Sequence, residues 1–95
     1  MPKNANVSCA PGTWTELTDA DVAAIRLQNL GGYAVDIMAT SDTSAPSSAV
    51  GALRLDPHDI LPANVGLSDV FPGVAAGYRV WARFELGGTL SVSHA

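Results

Sequence analysis

A period of two runs through residues 78–85, YRVWARFE, and decides the local structure there. Tyr78, Val80, Ala82 and Phe84 fall on one side, and Arg79, Trp81, Arg83 and Glu85 on the other. Side chains that change sides at every step belong to a strand with one buried and one wet face, because a helix repeats every 3.6 residues. The wet side carries one anomaly. Trp81 stands between two arginines.

The same period recurs along the chain. Over residues 23–29, Ile25 and Leu27 alternate with Arg26 and Gln28. Over residues 33–40, Tyr33, Val35, Ile37 and Ala39 alternate with Ala34, Asp36, Met38 and Thr40. Gly31-Gly32 lies between these runs, and glycine readily supplies the positive φ that tight hairpin turns need, so the pair predicts a hairpin. A second hairpin is predicted from residues 78–85 and 89–94 around Gly87-Gly88, with Leu90, Val92 and His94 on the apolar register.

Shorter strands are predicted at residues 13–18, 52–55 and 58–61, with Asp56-Pro57 turning between the last two. Residues 41–50, SDTSAPSSAV, form a polar loop. Residues 67–71 suit one helical turn capped by Ser68 and ended by Pro72-Gly73. Residues 1–12 are polar, contain Pro2, Pro11 and Gly12, and show no period, which predicts an extended N-terminal arm. Residues 13–95 form a single β-domain. The expected fold is all-β: a small antiparallel β-sandwich or barrel, with at most one short helical turn.

A chain of 95 residues buries only roughly 60–65% of the surface that its unfolded form exposes. Small domains often add disulfides, metals or partner subunits. Cys9 is the only cysteine, and His58 and His94 lie far apart with no ligand cluster beside either, so oligomerisation is the expected remedy. Charged residues make up 15% of the chain, against about 25% in ordinary soluble proteins. So low a charge density points to surface hidden against other subunits.

The net charge of −4 and the scattered basic residues argue against a nucleic-acid partner. No apolar run approaches the roughly 20 residues of a membrane span. MPKNANVSCAPG lacks an apolar signal region, so synthesis in a cytoplasm is expected.

No catalytic signature stands out. GLSDV lacks the second glycine of a nucleophile elbow, and the LGGY and LGGT stretches lack the lysine and helix of a phosphate loop. Asp19/Asp21 and Asp56/Asp59 read as caps or turns rather than acid/base pairs. The chain is expected to be a non-enzyme with no catalytic residue, metal or cofactor. Three roles compete for Trp81: packing under its own chain, a subunit interface, or a glycan platform shared with Trp14, Tyr33 and Tyr78. Arg79 and Arg83 on the same face favour protein contact, where Trp and Arg are enriched.

Taken together, WTELTDADVAAIRLQNLGGYAVDIMATSDTSAP, GALRLDP and LSDVFPGVAAGYRVWARFELGGTLSVSHA resemble small virion structural proteins of tailed bacteriophages, of the kind that decorate or cement capsids. The resemblance implies a compact β-domain, often trimeric, that bridges major capsid protein subunits on the outer shell. It implies localisation on the virion surface after synthesis in a host bacterial cytoplasm. A tail, baseplate or head-fibre component is the alternative within that class, and a glycan-binding host-attachment module the alternative outside it. The contact residues expected are Arg79, Trp81 and Arg83 on one surface, with Lys3, Asn4, Val7 and Cys9 on another and Trp14 beside them.

Overall fold

The computed structural model describes residues 3–75 and 78–94. Eight strands and one helical turn follow in the order β1 (Lys3–Cys9), β2 (Thr15–Glu16), β3 (Arg26–Asn29), β4 (Val35–Thr40), β5 (Leu53–Leu55), β6 (Ile60–Leu61), α1 (Leu67–Val70), β7 (Arg79–Phe84) and β8 (Gly88–His94). They make two four-stranded sheets. Sheet A has the order β1-β8-β3-β6 and sheet B the order β2-β7-β4-β5, with every pairing antiparallel. The protein is a small all-β sandwich, as the alternating runs predict.

Between the sheets lie the apolar registers of the strands. Leu27, Leu90 and Val92 from sheet A meet Val35, Ile37, Val80, Ala82 and Phe84 from sheet B, all with no exposed surface. Each large side chain buried in this way stabilises the fold by about 1.5–3 kcal/mol relative to exposure. Leu17 and Leu67 close the layer from outside the sheets, the latter held by a 2.9 Å bond from its N–H to the Ala23 carbonyl.

Both predicted hairpins are corrected. β3 lies in sheet A and β4 in sheet B; β7 lies in sheet B and β8 in sheet A. Each Gly-Gly segment therefore carries the chain from one sheet across to the other. Gly31 and Gly88 serve proximity more than turn geometry. A Cβ on Gly88 would lie 2.8 Å from the Phe84 ring, and one on Gly31 would lie 3.2 Å from it. Only Gly87 of the four takes a positive φ. A bond of 3.0 Å from Leu30 N–H to the Thr89 carbonyl ties the two crossings together over that ring.

Asn29 fixes the first crossing. It stands on the inward register of β3 with no exposed surface, yet its polar groups are satisfied. Its side-chain amide donates to the carbonyls of Tyr33 (2.7 Å) and Leu55 (3.1 Å), and its Oδ1 accepts from Gly31 N–H (2.8 Å). One side chain thus joins the end of β3, the loop and β5.

The expected N-terminal arm is corrected as well. Residues 1–2 lie outside the described residues, but Lys3–Cys9 is an edge strand of sheet A, paired residue for residue with β8 from Lys3↔His94 to Cys9↔Gly88. Ala5 and Val7 continue the apolar rows of Val92 and Leu90, which is the reason this polar segment belongs to the fold. The remaining strands keep the expected type, with shorter bounds except β8, which starts one residue earlier at Gly88. The helical turn begins at Gly66 with no side-chain cap, since Ser68 stands inside the turn rather than ahead of it.

Candidate docking surface

The two sides of β7 carry different chemistry. Its inward residues belong to the core, while Arg79, Trp81 and Arg83 lie on the outer face of sheet B, as the alternation predicts. Register places Trp81 beside Glu16 of β2 and Met38 of β4, with Arg79 beside Thr40 and Arg83 beside Asp36.

Of the three roles open to Trp81, the structure favours packing under its own chain. The residue retains only 7% of its surface, and its indole N–H donates to Thr40 Oγ1 at 2.9 Å. A tryptophan on an outer face can be buried when strands on both sides bring long neighbours over its ring. Trp81 is satisfied within its own chain.

The arginines are engaged too. Arg79 donates to Asp21 (2.8 Å) and Glu16 (3.0 Å), and these two acids raise its already high pKa, Asp21 foremost. Arg83 reaches the Gly12 carbonyl (3.3 Å) and Glu85 (3.2 Å). The Arg79 and Arg83 side chains serve to strap β2 and the 10–14 segment to β7. Both arginines therefore form pairings within the chain.

The other expected contact residues divide. Lys3 pairs with Asp19 at 3.4 Å, and Val7 packs partly against the core. Cys9 is buried in that core, where desolvation raises its thiol pKa against a smaller lowering by a bond with Thr15. Trp14 is half-buried, and Asn4 is exposed. Of the aromatic residues considered for glycan binding, Tyr78 and Trp81 are buried, while Tyr33 is 54% exposed.

An open surface lies further along the same sheet. Tyr33, Ala34, Asp36, Arg54, Arg83, Glu85 and Leu86 line a shallow groove of about 390 Å³. Leu86 is 62% exposed. Both apolar residues come from the crossings between sheets, so the packing around Phe84 also presents them. Asp36 bridges Arg54 at 3.3 Å across the groove floor and stands opposite Arg83 in the β4–β7 register.

Comparison with known protein families, curated proteins and solved structures finds no match. The surface chemistry has to carry the reading of function. Among the described residues no group of three or more His, Cys, Asp or Glu side chains is placed to hold a metal ion. Asp56 and Asp59 close their own turn, with Asp59 Oδ2 accepting from Asp56 N–H at 3.0 Å. The groove offers two exposed apolar side chains bordered by both signs of charge, an arrangement suited to contact with another macromolecule. Asp36, Arg54 and Leu86 escaped the sequence reading. An exposed leucine beside each Gly-Gly pair was the available signal.

Proposed function

We propose that this protein is a non-enzymatic structural component of a tailed-bacteriophage virion, a capsid decoration or cement protein that binds the outer shell. The reading rests on the sequence resemblance over residues 13–95 and on one structural observation, the exposed Tyr33–Leu86 groove. Bound there, a segment of the major capsid protein would cover Tyr33 and Leu86 while its polar groups meet Asp36, Arg54, Arg83 and Glu85. A domain seated across a boundary between capsid subunits adds contact area that must be broken before the subunits separate.

The test is occupancy on purified heads that lack the protein. Wild-type protein should saturate the shell at a copy number comparable to that of the capsid subunits. The Tyr33→Ala/Leu86→Ser double variant should bind at least about tenfold more weakly, the usual cost of removing central contact residues. Undiminished occupancy by a folded double variant would refute the groove's role. Saturation at only a few copies per particle would favour a tail, baseplate or head-fibre position.

A second reading draws on Tyr33 in particular. An exposed aromatic ring in a groove with Asp36 and Glu85 can stack against a sugar while the carboxylates accept its hydroxyl protons. Glycan-array binding that disappears in Tyr33→Ala, with no binding to heads, would select host attachment instead.

A further inference from the structure

We infer that two copies of this chain pair through β1, edge to edge and antiparallel about Asn6, joining their sheets A into one continuous sheet. The inference uses none of the groove residues and stands apart from the capsid reading.

The four sheet edges are unequal. β2 and β6 have two residues each and β5 has three, too short to template another strand. β1 has seven, in unbroken register with β8. It lacks the usual protections of an exposed edge. No proline interrupts Lys3–Cys9, no bulge interrupts its pairing, and its one charge, Lys3, is drawn to Asp19.

The direction of the peptide groups follows from the ladder. Leu30 N–H donates to the Thr89 carbonyl, so Thr89, Ser91 and Ser93 turn their peptide groups toward β3. Leu90, Val92 and His94 then turn theirs toward β1, where they meet Val7, Ala5 and Lys3. The N–H and C=O groups of Asn4, Asn6 and Ser8 are left pointing away from the sheet. Among the described residues, no strand other than β8 pairs with β1.

This edge complements itself. A two-fold axis at Asn6 sets Asn6 opposite Asn6 and Asn4 opposite Ser8, aligning outward donors with outward acceptors for about six interchain bonds. No like charges meet, because Lys3 falls opposite Cys9. On the inward side Ala5 falls opposite Val7. Ala5 is exposed and Val7 half-buried in the single chain, although both stand on the apolar register. Pairing places each beside the other in the close, non-hydrogen-bonded positions of the ladder. The occupant that fits these positions is a second copy of β1.

Sedimentation velocity on the full chain tests the pairing. Wild-type protein should form a two-chain species. Asn6→Pro removes only an N–H that faces away from β8, a position where an edge strand tolerates proline. It should keep the circular dichroism of the wild type and weaken association at least about thirtyfold, the effect of two lost bonds. Asn6→Lys, which sets two cations opposite each other without touching the backbone, should also shift the species toward monomer. Asn6→Cys should cross-link into disulfide-bonded pairs under mild oxidation, since residues facing across such a ladder lie about 5.5 Å apart. A wild type that stays monomeric at millimolar concentration or sediments as a trimer would overturn the inference. So would a dimer that both Asn6→Pro and Asn6→Lys leave intact, or an Asn6→Cys chain that fails to cross-link.

Discussion

The outer faces of the two sheets are built on opposite plans. On sheet B, Glu16, Trp81 and Met38 form one row, and Arg83, Asp36 and Arg54 another. Its charges find partners within the chain, and its tryptophan is covered. On sheet A the rows read Asn4–Ser93–Arg26 and Asn6–Ser91–Gln28–Ile60, all uncharged except Arg26. Sheet B is chemically rich and largely self-satisfied near Trp81. Sheet A is chemically plain and ends in β1, whose outer edge meets no other strand among the described residues. The residues that look most interactive in a sequence can be those already occupied, because Trp and Arg are also good at holding their own fold together.

The largest test of that contrast is Trp81→Ala. If the ring is part of the fold, the isolated chain should lose about 3–5 kcal/mol, the range for truncating a buried aromatic residue. Urea denaturation followed by circular dichroism measures it, and a loss under about 0.5 kcal/mol would mark Trp81 as a surface residue after all.

The seam joining the two faces comes next. Asn29→Ala should cost about 2 kcal/mol, because the Leu55 carbonyl and the Gly31 N–H lose their side-chain partner. Gly88→Ala should cost about 1–3 kcal/mol by driving a methyl group into the Phe84 ring. Gly32→Ala is the matched control and should be close to neutral, since nothing lies within 4 Å of its added carbon.

Cys9 sharpens the contrast through pH. Burial raises its folded pKa above the unfolded value, so its contribution to stability is intact below the unfolded thiol pKa. That contribution declines as pH rises toward the folded pKa, because the unfolded chain releases its proton first. Denaturation midpoints should therefore fall at alkaline pH more steeply for the wild type than for Cys9→Ala. The smallest effect belongs to the outer face of sheet A. Asn4→Ala should change stability by less than about 0.5 kcal/mol in the same denaturation assay, in contrast to Trp81→Ala.

The strands were legible in the sequence because alternation is a local property. Successive side chains must take opposite sides of any strand, whatever it pairs with, so residues 33–40 and 78–85 announce themselves. The same logic put Trp81 on the outer face of β7. Its burial was not legible, since it depends on Glu16, Met38 and Thr40 from strands distant in sequence. Asn29 was detectable in principle: a polar residue on an apolar register just before Leu-Gly-Gly is suited to hydrogen-bonding the following turn.

Tertiary structure alone decided which strands share a sheet. A Gly-Gly pair between two alternating runs permits a hairpin, and it equally permits a crossing between layers. The choice fell to Phe84, whose ring leaves no room for a side chain at Gly88 and little at Gly31. For every strand but β1, the sequence by itself determined that a strand forms and which side of it is apolar. Packing across distances the local pattern does not encode determined how those strands are joined, and left β1 as the long open edge.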